Sequence, residues 1–316
     1  MRVLGKSDVT VSRSSLGTAD LLPKNHLWNQ IHEKSKDDMQ ELGPGDARPT
    51  ALQIIKDAGR EGGLVGKVIL ITGCSSGLGI ETARALVHTG VTLYLTARDL
   101  DKPKSSLGNI VESPQVYLLH LGLNSMASVC TCAEEFQSRS YTLNILIANA
   151  ADRFEIQFGT NYLAYFLLFY LFRHCLLSLS TPAFNSRVVI VASSVHRISS
   201  VHFDNLSLEG EYELWKAYSQ ITELLRHVSE EQKADWEKNK FLINYWKSTE
   251  QGAVTTVWGA VARELEGIGG KYLDNYQIAL PADPAQRHGP GYAVWAYSPE
   301  MEKRLWAISL DLLNEY

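Results

Sequence analysis

Residues 67–86 read KVILITGCSSGLGIETARAL. An aliphatic run, KVILIT, is followed within one turn by glycines 73, 77 and 79 and then by apolar residues at helical spacing. The order predicts a strand, a tight turn and a helix. Glycines at such a turn let the backbone pass close to a pyrophosphate, whose charge is met by the N–H groups and positive end of the following helix. The alternative is a tight strand-to-helix corner that binds nothing. The strand before, the helix after and the spacing together favour the phosphate-binding reading.

Outward from this stretch the pattern repeats. VTLYLTA (91–97), VYLLHL (116–121), LNILIA (143–148) and RVVIVA (187–192) are further short aliphatic runs, separated by segments with helical spacing. Strands that need not alternate polar with apolar residues are buried on both faces, which predicts a parallel sheet between two helical layers. The expected class is α/β, a doubly wound parallel sheet of order 3-2-1-4-5. After Val191 the rhythm fails, so a sixth strand is expected to be missing or distorted. FLINYW (241–246) fits a strand or a helix equally, and KYLDNYQIA (271–279) is the expected last strand. Residues 299–314 repeat apolar positions at Met301, Leu305, Ile308 and Leu312, which predicts a helix packed on the domain. Residues 1–62 are expected to form an N-terminal extension, with ALQIIKDAG as their one convincing helical patch, and 63–316 the main domain.

Bulk composition narrows the partners. The 316 residues are 45% apolar and 21% charged, with a formal charge of -5 and no basic stripe, so nucleic acid is not an expected partner. The longest apolar run, YLAYFLLFYLF (162–172), covers about half of the ~20 residues a bilayer requires and reads as a buried helix rather than a membrane span. Four cysteines without CxxC spacing suit a reducing compartment, and no metal site is indicated. A cytoplasmic location is the expectation.

TGCSSGLG, together with TARDLDK (96–102), NILIANA (144–150), FGTNYLAYFLL (158–168), RVVIVASSVHRIS (187–199), AYSQ (217–220) and KSTEQGAVTTVW (247–258), resembles the short-chain dehydrogenase/reductase family. The branch is that of retinol dehydrogenases and fungal secondary-metabolite reductases. The resemblance implies a Rossmann-type domain, a nicotinamide cofactor and a small carbonyl or alcohol substrate, in a chain that can form homo-oligomers. It implies that Gly73, Ser75, Gly77, Leu78, Gly79, Arg98, Lys102 and Asn149 bind the cofactor. Arg98 lies just past the second strand, where a guanidinium suits a 2'-phosphate, so NADP is expected over NAD. Asp99 beside it is the reservation. It further implies that Asn161 supports a proton relay and that Ser194 holds the substrate carbonyl. From the residues alone, Asn161 reads as a polar group inside a helix and Ser194 as a turn former.

YELWKAYSQIT (212–222) poses the catalytic question. The acid of this family is a tyrosine followed four positions later by a lysine, whose ammonium lowers the phenol's ordinary pKa of about 10. Tyr212 and Lys216 fit that spacing literally. The family frame instead aligns Tyr218, 24 residues after Ser194, and puts Thr222 where the lysine belongs. Tyr218 is the preferred catalytic residue. The frame also implies about thirty residues missing after Gln220 and about a dozen missing after Ala151. Gly122 stands where the family has an aspartate near the adenine, and Ala151 where it has a glycine. Two functions follow: an NADP-dependent oxidoreductase, or a catalytically impaired nucleotide-binding or interaction protein on the same fold.

Overall fold

The computed structural model describes residues 43–149, 158–206, 246–284 and 290–314, and the single positions 238 and 244. Strands β1 (Val68–Ile71), β2 (Thr92–Ala97), β3 (Val116–His120), β4 (Ile145–Ala148) and β5 (Arg187–Ile190) form one sheet of order β3-β2-β1-β4-β5. Every pairing is parallel, with Ile69 opposite Leu93 on one side and Ile145 on the other. The fold is therefore the expected doubly wound α/β sheet. Among the described residues no strand pairs beyond β5, and residues 221–240, where a sixth strand would fall, lie outside them but for position 238.

The two faces explain the unbroken aliphatic runs. On one face Ile69, Ile71, Leu93, Leu95, Ile145 and Ile147 meet three helices: α1 (Ala51–Asp57), α2 (Leu78–Leu86) and, after α6 (Thr249–Gly252), the helix α7 (Val254–Val261). On the other, Val68, Leu70, Tyr94, Leu119 and Leu146 meet α4 (Met126–Arg139) and α5 (Ala164–Leu179). Successive strand residues point to opposite faces, so only a sheet covered on both sides lets all four residues of β1 be buried. Tyr94, Phe136 and Phe172 continue the second face as an edge-to-face chain with centroids 4.6 and 5.0 Å apart. A short helix, α3 (Asp101–Leu107), follows β2.

Two sequence expectations meet a different structure, and a third is left open. Ala51, Ile54 and Ile55 of α1 belong to the first core face, so the packed domain begins ahead of the boundary expected at residue 62. KYLDNYQIA is not a last strand of the sheet. It folds back as a two-residue antiparallel hairpin, β6 (Leu273–Asp274) with β7 (Gln277–Ile278), because Asn275 and Tyr276 both sit at φ 48° and reverse the chain. FLINYW lies mostly outside the described residues.

The helix carrying the apolar run opens with a π turn, Phe158–Leu163, before α5. Its 22 residues would be long and apolar enough to cross a membrane by length and composition. In this fold Ala164, Tyr165, Leu167, Leu168, Phe172 and Leu176 are buried against the sheet and α4. The last helix, α8 (Pro299–Leu313), matches the expected 299–314 segment. Ser298 caps it, and Tyr162 and the buried Ser309 hold it to the π turn at 3.0 Å.

Candidate active site

The carboxyl ends of four adjacent strands carry the expected site residues. In a parallel sheet that edge is where a ligand crevice forms, because the strand-to-helix turns diverge there. Gly73 to Gly79 follow β1, Arg98 follows β2, Asn149 follows β4 and Ser194 follows β5. Backbone bonds knit these turns together: the N–H of Cys74 donates to Thr96 O at 2.9 Å, two residues before Arg98. The N–H of Val191 donates to Ala148 O at 2.9 Å, beside Asn149.

The glycine turn is tight for two separate reasons. Gly77 caps α2 at φ 60°, ψ -136°, a conformation that a side chain resists, and nothing lies within 4 Å of where its Cβ would be. Gly79 has ordinary backbone angles, but a Cβ there would lie 2.3 Å from Gly73 O and 2.7 Å from Asn149 Nδ2. Helix α2 thus starts in contact with the turn that precedes it, with no side chain capping its free N–H groups. Asn149 closes the turn from β4. Its N–H donates to Thr72 Oγ1 at 2.9 Å and its Nδ2 to Thr72 O at 3.2 Å, while its Oδ1 is buried with no partner among the described residues. Thr72 Oγ1 also meets the Tyr165 hydroxyl at 3.0 Å, so α5 supports the same node. An open cradle at Gly77 and a wall with no room for a Cβ at Gly79 fit a dinucleotide's phosphates, while the orphaned Asn149 amide oxygen, an acceptor, fits a hydroxyl donor rather than a phosphate.

Ser75 is half-buried within the turn and Leu78 is the first residue of α2. Arg98 is exposed at the mouth of β2. Lys102 is exposed in α3 and reaches Asp99 at 4.0 Å, a weak surface pair. Asn161 is half-buried in the π turn, a helix irregularity that is frequent at functional sites. Ser194 is exposed at the start of a 3-10 turn, Ser194–Arg197. Tyr218 and Thr222, like Tyr212 and Lys216, lie outside the described residues.

A cleft of about 1290 Å³ joins part of this edge. It runs from Leu78 past Ser194 and along β5, with Thr255, Tyr272, Asp274 and Trp306 among its walls. Its walls combine apolar surface with a few polar groups, as a site for a small apolar ligand does.

His196 acts structurally here. Its Nδ1 lies 2.6 Å from Ser193 O and its Nε2 3.2 Å from the N–H of Ala293, so Nδ1 carries the proton and Nε2 accepts. Burial pushes its pKa below the ordinary value, the Ser193 carbonyl pulls it up, Arg197 lowers it and Asp274 raises it. Its ring packs on Tyr272 at 4.9 Å. With both nitrogens engaged by the backbone it is not a base for Ser194. Cys74, fully buried with its thiol pushed up to about 12 by burial, is inert filling under the glycine turn.

Sequence reading missed a buried polar node behind the turn. Asp46, Arg48 and Gln251 are 205 positions apart at most in their contacts, and a lone arginine in PGDARP gives no signal of burial. Arg48 is 6% exposed and Gln251 3%.

The family profile described as short chain dehydrogenase matches residues 67–203. The short-chain dehydrogenase/reductase prx1 of Penicillium roqueforti is 44% identical across 87% of this chain and 93% of its own. The oxidoreductase calI of Penicillium decumbens is 34% identical across 86% and 94%. A crystal structure of a Mycobacterium paratuberculosis protein shares the fold, with TM-score 0.52 and 23% identity over 78% of this chain and 93% of that one. The match to prx1 runs over 317 positions but uses about 275 residues here, 87% of 316, so about 42 positions of the relative have no counterpart.

Proposed function

Since this chain belongs to the short-chain dehydrogenase/reductase family, we propose that it is an NADP-dependent oxidoreductase for a carbonyl or alcohol on a small apolar substrate, with slow turnover. The observation that carries the cofactor reading is Gly79 pressed against Gly73 O beneath an uncapped helix N-terminus, one strand away from exposed Arg98. The chemistry that NADP supplies when bound is hydride transfer at its nicotinamide. In this reading the turn from Gly73 to Gly79 holds the phosphates, with Ser75 and Leu78 lining it, and Arg98 and Lys102 take the 2'-phosphate. Asn149 keeps the backbone of the turn in register through Thr72.

Ser194 orients the substrate oxygen at the cleft wall and Tyr218 holds or accepts the proton on that oxygen, with Asn161 steadying the relay. Thr222 offers no ammonium, so the Tyr218 phenol stays a poor acid near neutral pH. The resemblance to fungal secondary-metabolite reductases suggests a place in secondary metabolism, and prx1 and calI are both Penicillium proteins. Thr222, Gly122 and Ala151 favour a second reading, a nucleotide-binding protein without turnover.

The test is NADPH oxidation with a panel of apolar aldehydes and ketones on the full chain. Slow turnover that Tyr218→Phe abolishes and Tyr212→Phe leaves alone supports the reading. Rapid turnover that disappears with Tyr212→Phe would show that Tyr212 and Lys216 are the working pair.

A further inference from the structure

Behind the glycine turn lies a buried polar node that the proposed chemistry does not use. Asp46 accepts from three donors on Oδ1: the Arg48 N–H at 3.0 Å, Arg48 Nε at 2.9 Å and Gln251 Nε2 at 3.0 Å. Its Oδ2 pairs with Arg48 Nη2 at 2.8 Å, both side chains being almost wholly buried. Arg48 Nη2 donates onward to Gly43 O, Asn244 O and Trp246 O. Gln251 faces both ways. Its Nε2 donates to Asp46 O and Arg48 O, and its Oε1 accepts from the N–H of Gly45 and of Ser248, the latter closing the capping box of α6.

A buried ion pair adds little net stability, because desolvation offsets attraction, so a fully satisfied one is better understood as fixing a geometry. The geometry in question reaches the glycine turn. Gly252, next to Gln251, sits so close to Leu78 that a Cβ would lie 2.7 Å from Leu78 Cδ2. Leu78 opens α2, the helix whose free N–H groups face the proposed phosphate site.

We propose that residues 43–50 form a strap that positions the nucleotide-binding turn: Asp46 and Arg48, through Gln251, clamp α6 onto Leu78. Arg48 and Gln251 are positioning residues, and the effect on NADPH rests on the cofactor reading given above. Arg48→Lys keeps the charge but loses the fork. Gln251→Glu keeps the oxygen that caps α6 but loses the amide that donates to the strap, and serves where Arg48→Lys fails to fold.

The experiment compares each variant with Phe136→Leu, a core change on the opposite face of the sheet, as a destabilised control. Both hydrogen exchange and the NADPH dissociation constant are measured well below the melting temperature. The strap variants are expected to raise amide exchange in 73–79 and 246–253 and to weaken NADPH roughly tenfold, with the control doing neither. Exchange in 73–79 that stays at the wild-type level in both strap variants overturns the proposal, whatever the melting temperature does. If the wild type binds no NADPH yet the exchange rises, the cofactor reading falls and the strap stands.

Discussion

A single methyl at residue 79 would lie 2.3 Å from Gly73 O and 2.9 Å from Gly73 C, closer than real contacts allow, and both are backbone atoms that cannot swing away. Gly79→Ala is therefore expected to push α2 off the turn, costing about 1–3 kcal/mol of stability and abolishing NADPH binding. Thermal melting and a cofactor titration would check it, and a Gly79→Ala chain that binds normally would sink the packing account. Sequence spacing singled out Gly79 for closeness to a pyrophosphate, and the close approach seen in the structure is to Gly73 and Asn149. His196 was legible only as a residue near Ser194. Its Nδ1 partner, Ser193, is three residues away, but its Nε2 partner, Ala293, lies 97 positions away, which no local pattern encodes. Its pKa lies below the ordinary ~6.5, so as pH falls the unfolded chain takes up the proton first and stability drops. The melting temperature is expected to decline from about pH 7 to about pH 5, and His196→Gln to flatten that decline. A slope unchanged in the variant would assign it to other groups.

Among elements, β5 departs most from its neighbours. Strand β1 is buried throughout, whereas in β5 Val188 is 39% and Ile190 65% exposed along the wall of the cleft. An edge strand with uncovered aliphatic side chains invites pairing with other chains. Ile190→Lys is expected to raise the temperature at which light scattering begins, with unfolding free energy within about 0.5 kcal/mol of the wild type. A large loss of stability would mean that Ile190 is covered in solution. All five strands were readable because each is a short aliphatic run closed by turn residues, and their order because doubly wound sheets of the Rossmann type share it. The hairpin at 273–278 was not, because φ 48° at Asn275 and Tyr276 breaks a segment whose composition suits a strand. Nor was the join of α1 to the core, since three buried residues in a seven-residue helix carry too little pattern to show what they pack against.

At the scale of the whole molecule, a chain lacking about 42 positions present in prx1 keeps the sheet from β3 to β5 and the nucleotide turn intact. Both halves of the core are built from the described segments, α7 included, and in the proposed reading the cofactor half of the site does not rest on Tyr218 or Thr222. The proton-transfer half does. Binding and turnover are accordingly expected to separate, with NADPH held firmly by a protein that reduces its substrates slowly. The direct measurement is a pair of titrations of the full chain with NADPH and NADH, repeated on Arg98→Ala. NADPH should bind at least about tenfold more tightly than NADH, the scale of one charge-assisted contact, and Arg98→Ala should erase the difference. Equal affinities in the wild type, or a preference that survives Arg98→Ala, would contradict the account.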